Sequence, residues 1–423
     1  MAHIVIVGAG IGGLSMAYEM RERCRPGDRV TVICDGDTFH FVPSNPWLAV
    51  NWRTREDIEF PLAPYLARRQ IGFIACGARQ VHPADDAVEL RDGRWIGYDV
   101  LVLATGARSA FDEIEGLGPG HYTESVCHIE HAAQAGRRWE AFVKDPGPIA
   151  VGAVQGASCF GPAYEFAFLM DTDLRRRKMR HRVPMTFITP EPHVGHLGLG
   201  GVGDSKGLLE AAMQDRQVRW ITNARVERIE AGKIHVAQLD GQGRARKRHE
   251  VPFRYGMMLP AFRGIDAVAG VEGLSNAEGF VLIDRYQRNP TFRNVYAVGL
   301  CADIPPVAPT VVPTGAPKTG YMIESMVTAA AANIRAVLDG GEPYLKPAWN
   351  AICLADFGDS GAAVVALPQM PPRDVSWFKQ GKWVHLAKVA FEKYFIRKMK
   401  KGTTEPLYEK YVLSALGITK LTE

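Results

Sequence analysis

The stretch "HIVIVGAGIGGLSMAYEM" at positions 3–20 restricts the fold more than any other part of the chain. It gives a short β-branched strand, a glycine turn and then a helix-period pattern. Gly8, Gly10 and Gly13 match G-x-G-x-x-G. The first glycine permits the tight turn, the second lets the backbone approach a pyrophosphate, and the third allows close helix–strand packing. Ala9, Ile11 and Gly12 complete the turn, so this backbone is expected to bind a dinucleotide. The helix that follows offers free N–H groups and a positive dipole end to the phosphates. The second strand lies in "RVTVICDGD", where a ribose-binding acid is expected. Cys34 occupies the usual place and Asp35 follows by one, so the ribose contact is assigned to Asp35.

FAD and NAD share this fingerprint, and two later stretches separate them. "YDVLVLATGARS" runs a strand into Thr105 and Gly106, and "NPTFRNVYAVGLCAD" ends a strand at Gly299. Both resemble the ATG and GD motifs of two-dinucleotide-domain flavoproteins of the glutathione-reductase type, which implies FAD. Leu300 stands where that family has its GD aspartate, and Asp303 comes three residues later. The backbone N–H of Leu300 is left to serve. In "PTGAPKTGYMIESMV", Pro317 and Thr319 precede an Ala-rich helix expected from about Gly320. A helix N-terminus aimed at the flavin's pyrimidine edge would stabilise the reduced, anionic ring. An ordinary proline-containing loop is the plainer alternative.

A second strand–turn–helix occurs in "GPIAVGAVQGASCFGPAYEFAFLM", but Gly152, Gly156 and Gly161 do not fit G-x-G-x-x-G. The loop carries Cys159 instead, and Pro162 suits a first helical turn. The unit reads either as a nicotinamide site that has been lost or as a merely degenerate turn. A thiol at a helix N-terminus is expected to have a lowered pKa and hence reactivity.

The 423 residues suggest two or three domains. The seven cysteines (24, 34, 76, 127, 159, 301, 353) include no CxxC pair and no zinc spacing, so neither a metal site nor a disulfide framework is expected. Net charge is +4, but positions 382–401 hold six Lys and one Arg against one Glu, a net of +6. The rest therefore sums to −2, and a general nucleic-acid binder is not indicated. No apolar run is long enough for a transmembrane helix. The N-terminus runs straight into a strand without a signal-peptide pattern, which predicts cytoplasmic folding.

Five stretches carry a closer resemblance: "FVPSNPW" (41–47), "GASCFGPAYE" (156–165), "HLGLGGVGDSKG" (196–207), "PTGAPKTGYMIESMV" (313–327) and "WVHLAKVAFEKYFIRKMK" (383–400). Together they resemble the sulfide:quinone oxidoreductases, most closely the bacterial type from acidophilic sulfur oxidisers. The resemblance implies tandem Rossmann-like α/β domains of the glutathione-reductase type and a non-covalently held FAD. It also implies oxidation of sulfide to polysulfide or sulfur, with a membrane quinone as acceptor. It assigns Cys159 and Cys353 to the redox-active pair, Cys127 to the third cysteine, and His131 and His196 to proton handling. It extends the cofactor set to Val42, Pro43, Asn45, Ala78, Lys318 and Gly320. Leu354, Phe391 and Tyr408 are placed at the quinone. In this chemistry hydrosulfide attacks the Cys159–Cys353 bridge, a persulfide forms on Cys159, and Cys353 leaves as the thiolate.

The C-terminal "KWVHLAKVAFEKYFIRKMKKG" has Trp383, Ala387, Ala390, Phe391, Tyr394, Phe395 and Met399 at helical spacing among lysines. A basic amphipathic helix suits a membrane interface, and residues 408–421 read as a second short apolar helix. Peripheral, monotopic attachment is therefore expected. A helix packed on the protein's own core is the alternative, and a homo-oligomer is compatible with the sequence. The expected layout is 1–112 and 251–340 for a discontinuous FAD domain, 113–250 for the second Rossmann-like domain, and 341–423 for a quinone-binding and membrane-attachment region. Three other activities compete. A type-II NADH:quinone oxidoreductase would want an intact second glycine fingerprint, and a flavocytochrome-c-type sulfide dehydrogenase would want an export signal. A catalytically silent flavin-fold membrane protein would not need all three cysteines.

Overall fold

The computed structural model describes residues 1–404 and 420–422. Five parallel strands form the first sheet, in the order Val295–Ala297, Val100–Leu103, His3–Val7, Arg29–Ile33 and Gly72–Ile74. Its central residues Ile4, Val5 and Ile6 are wholly buried, as both faces of an all-parallel sheet require. Helix Ile11–Arg23 covers one face and packs against Gly320–Leu338, which returns from far along the chain.

The same plan is built a second time. Strands Tyr255–Leu259, Ile149–Ala153, Met185–Ile188 and Val218–Ile221 form a four-stranded parallel sheet. Each half also carries a three-stranded antiparallel meander, Ala78–Gly97 in the first and Ala224–Pro252 in the second. The repeat lies in topology, and no sequence repeat announces it. Strand Tyr255–Leu259 completes the second sheet, so the expected boundary at 250 moves to about 259. An antiparallel pair, Arg108–Ser109 with Phe262–Arg263, marks the double crossover between the halves.

The C-terminal region is a three-stranded antiparallel sheet followed by helix Lys382–Lys401. The sheet runs Ala351–Asp356, Gly361–Leu367 and Val375–Gln380. The proline-rich stretch after Leu367 is the connection between its second and third strands, tied down by the buried Gln369, which donates to the Pro317 carbonyl at 2.7 Å. The helix packs on this sheet, that is, on the protein's own body. Its expected apolar face is divided accordingly. Phe395 and Met399 are buried inward with Val384, whereas Trp383, Leu386, Ala390 and Phe391 are exposed. Among the described residues no helix is long and apolar enough to cross a membrane. Tyr408 and nearly all of the expected second helix lie outside the described residues, and Leu421–Thr422 forms a strand paired with Lys346–Pro347.

The inner face of Lys382–Lys401 is held by charge. Lys388 pairs with Glu165 of helix Gly161–Arg176, both side chains being almost fully buried. Glu392 accepts from Ser44 and from Arg53, the latter at 2.9 Å, while Lys398 donates to Glu324 at 2.9 Å. Removing one partner of a buried pair leaves an uncompensated charge, at a cost of about 3–5 kcal/mol. Burial already pushes the Glu165 carboxyl up to about 7, opposed chiefly by Lys388. A carboxyl raised in the folded state destabilises it as pH climbs through that value. Lys388→Met is therefore expected to lose about 3 kcal/mol at pH 8, and much less at pH 5.5 where Glu165 takes up a proton. Urea denaturation at the two pH values measures both.

Candidate active site

The dinucleotide turn has the tight approaches its glycines predict. A Cβ at Gly8, where φ is +108°, would lie 2.2 Å from the Ala104 carbonyl oxygen, and one at Gly13 would lie 1.9 Å from that of Gly8. Gly10 faces open space, and helix Ile11–Arg23 has no side-chain cap, so its first N–H groups remain free for a phosphate. Asn45 donates to the Val126 carbonyl at 2.9 Å, yet its own buried Oδ1 has no partner. Helix Gly320–Leu338 starts where the sequence predicts, and Thr319 caps it by accepting from Met322 N–H. Leu300 lies in a short 3-10 turn, Gly299–Cys301, and Lys318 donates to the carbonyls of Leu300 and Ala302 at 3.1 and 2.6 Å. Burial lowers the Lys318 ammonium to about 8. An open glycine cradle, free helix N–H groups and an orphaned acceptor fit FAD. Asp35 is exposed and turned towards Arg91 at 3.2 Å, at the carboxyl end of the second strand beside the half-buried Cys34.

The second glycine turn delivers Cys159 to the N-terminus of helix Gly161–Arg176, with a proline in its first turn. Strand Ala351–Asp356 packs against the same helix and carries Cys353. Cys127 sits just before helix Ile129–Lys144. All three are free thiols, and Cys159 senses the charges of both others, so they share one electrostatic neighbourhood. The expectation of a lowered Cys159 pKa is overturned. Burial pushes it up to about 12, reinforced by Cys353 and Cys127, and the single Gly161 N–H does not compensate. Burial likewise raises Cys353 to about 12, opposed by Lys388, and Cys127 to about 11, opposed by Ser125.

The two histidines flank this region without touching it. Neither His131 nor His196 hydrogen-bonds to a cysteine among the described residues, and the buried Nδ1 of each is unpartnered. Burial lowers both, His196 to about 4, so that imidazole is neutral at pH 7 and a weaker base than a free one, while His131 is the less displaced of the two. The His196 loop packs on the neighbour of Cys159: a Cβ at Gly198 would lie 3.4 Å from the Phe160 ring. Of the expected quinone residues, Leu354 lies on the Cys353 strand, and the ring of the exposed Phe391 lies 6.1 Å from that of Phe41, tilted by 56°, beside Val42 and Pro43.

Sequence reading missed the carboxylates that organise this region. Asp356 accepts from Trp47 at 2.7 Å and contacts His385 at 2.9 Å. Glu191 accepts from Tyr164 at 2.7 Å and from the Leu197 N–H at 2.6 Å, tying the Cys159 helix to the His196 loop. Glu165 and Glu191 each stand in an otherwise apolar or proline-bounded stretch, which is the signal that could have found them.

The pyridine nucleotide-disulphide oxidoreductase family profile matches residues 2–319. A sulfide-quinone reductase of Aquifex aeolicus is 41% identical over 413 residues, 97% of this chain and 94% of that protein. The chain belongs to the sulfide-quinone reductase family. The X-ray structure of the sulfide:quinone oxidoreductase from Aquifex aeolicus superposes with a TM-score of 0.95 at 40% identity, covering 100% of this chain and 97% of that one. The NDH2 structure from Plasmodium falciparum shares the fold alone, at 12% identity and a TM-score of 0.68 over 98% of each chain. The family carries FAD, which agrees with the cradle of this enzyme.

Burial raises the Glu191 carboxyl to about 7, opposed by its bonds from Thr189, Tyr164 and Leu197. The folded state therefore holds a proton that the unfolded state gives up above about 4.5, and stability falls as pH rises from there through about 7. Glu191→Gln removes this dependence. Its melting temperature relative to wild type is expected to climb between pH 4.5 and 7.5, and calorimetry across that range measures it.

Proposed function

We propose that this enzyme oxidises sulfide at Cys159 and Cys353 and passes the electrons, through FAD, to a quinone collected at a membrane surface. What supports the reading is that Cys159, in a glycine loop that has lost its nucleotide fingerprint, begins a helix against which the Cys353 strand packs, with Cys353 and Cys127 near enough to raise its thiol. In the oxidised enzyme, with Cys159 and Cys353 joined, hydrosulfide attacks Cys159, breaking that S–S bond and forming a new one to the substrate sulfur. The electron pair leaves on Cys353. Polarity favours this direction, because Lys388 stabilises a thiolate at Cys353 whereas Glu165 disfavours one at Cys159. Bound FAD supplies the two-electron store between the thiol and the quinone. The substrate proton goes to neutral His131 or His196, whose unpartnered nitrogens are free to accept it. Each further sulfide adds one sulfur to the chain on Cys159 and gives up two electrons, which would pass to quinone by way of the FAD that the cradle would hold, until polysulfide leaves. Phe391 lies where an apolar quinone ring can stack, and the exposed Trp383, Leu386 and Ala390 set the docking face at the membrane, giving monotopic attachment.

Detergent-purified enzyme, titrated under anoxia with sulfide and then NADH, tests the reading. Sulfide is expected to bleach the flavin absorbance and NADH to leave it unchanged; the opposite result sinks the proposal. Cys353→Ser is expected to abolish bleaching by sulfide while retaining flavin. Phe391→Ala is expected to raise the KM for a short-chain quinone up to roughly tenfold, the worth of an aromatic contact, and to leave the sulfide step unchanged. Stopped-flow on each half-reaction separates the two effects.

A further inference from the structure

The exposed face of helix Lys382–Lys401 is sorted along its length. Trp383, Leu386, Ala390 and Phe391 are exposed in the first half, and Lys393, Arg397 and Lys401 in the second. That second half forms one wall of a cleft of about 1040 Å³, whose other wall comes from the segment between Trp47 and Arg68. Seven lysine and arginine side chains line the cleft against two carboxylates, Asp57 and Glu392. Glu392 is already spent on Arg53 and Ser44. Arg68 lies over the Tyr65 ring at 5.3 Å and Lys400 over Phe60 at 5.4 Å. Among the described residues Lys393, Arg397, Lys400, Lys401 and Arg68 have no carboxylate partner, so the cleft is a concave region of uncompensated positive charge with aromatic walls.

We propose that this cleft binds the phosphate of an anionic phospholipid, fixing the enzyme at the membrane with the apolar half of the helix at the acyl boundary. The inference rests on the membrane docking proposed above and adds to it a defined headgroup site. Two features favour a lipid over a nucleic acid or an acidic protein. The basic wall continues directly into an exposed apolar one on the same helix, and a phosphate with acyl chains is the ligand that matches both. The helix that forms one wall also carries more net positive charge than the whole chain, since the rest sums to −2. The buried Lys388 and Lys398 contribute nothing outward because they are paired with Glu165 and Glu324.

Flotation of the flavin-loaded enzyme with vesicles tests this. Vesicles of phosphatidylcholine alone read the apolar contact, and vesicles with added phosphatidylglycerol read the cleft. Wild type is expected to bind both, with a gain on the anionic vesicles that salt screens away. Each basic residue near an anionic surface contributes about fivefold, so Lys393→Gln with Arg397→Gln should cut the gain by about 25-fold. Arg68→Gln, on the opposite wall, should cut it by about fivefold. Arg246→Gln with Lys247→Gln, on the exposed strand Ala245–Pro252, should leave it unchanged. Equal binding of wild type to both vesicles, or equal losses in the Arg246/Lys247 variant, overturns the headgroup site and leaves membrane docking standing. Failure to bind either vesicle overturns both.

Discussion

The buried node around Glu165, Lys388, Asp356 and Trp47 is the interaction on which the rest of the site depends. Glu165 projects from the helix that begins beside Cys159, and Lys388 reaches it from the C-terminal helix. Asp356 ends the strand that carries Cys353 and accepts from Trp47, which belongs to the segment beside the flavin cradle. Four pieces of chain that are remote in sequence are thereby fixed against one another. Ionic groups this deeply buried contribute little net stability, because their desolvation offsets their attraction. Their effect is to penalise every arrangement in which one of them lacks its partner. The strand that carries Cys353 is held against the helix that begins beside Cys159, because any other docking of the C-terminal sheet would strand a charge.

The two halves show how one scaffold serves two chemistries. In the first, the strand–glycine–helix turn leaves its helix N–H groups uncapped and its Gly10 face open, which suits a pyrophosphate. In the second, the topology and the parallel register are retained, but a cysteine fills the place where the phosphate would sit. The helix N-terminus alone does not make that cysteine a thiolate. Burial dominates, and one N–H donor is too little against it. In the reaction proposed above, its reactivity comes from a bond to another sulfur rather than from a standing charge, and the opposite charges that act on Cys159 and Cys353 would set the direction in which that bond breaks.

Much of this was legible in the sequence. The first glycine turn, the start of helix Gly320–Leu338 after Thr319, and the proline in the first turn of the Cys159 helix were all read from short-range chemistry. Such features are decided within four or five residues, so local sequence suffices. The boundary near 259 was not legible, because strand Tyr255–Leu259 looks like any apolar strand and only its pairing with Ile149–Ala153 assigns it. The Cys159 pKa was misread for a related reason: the helix terminus is visible in the sequence, whereas burial and the neighbouring Cys353, 194 residues away, depend on how the chain folds.

The C-terminal helix makes the same point in terms of charge. Its lysines look equivalent when written as a string, yet Lys388 and Lys398 turn inward to carboxylates while Lys393, Arg397 and Lys401 remain outside. Its apolar residues divide in the opposite sense, with Val384, Phe395 and Met399 inward and Trp383, Leu386 and Phe391 outward. A helix that simply floated on a bilayer would put all its apolar residues on one side and all its lysines on the other. Here the apolar set is shared between the core and the outside, which requires the core to accept cations in exchange. Glu165 and Glu324 are the residues that make that exchange tolerable. The helix is thus shaped first as a part of the fold, and only its outer face is left for the membrane contact proposed above.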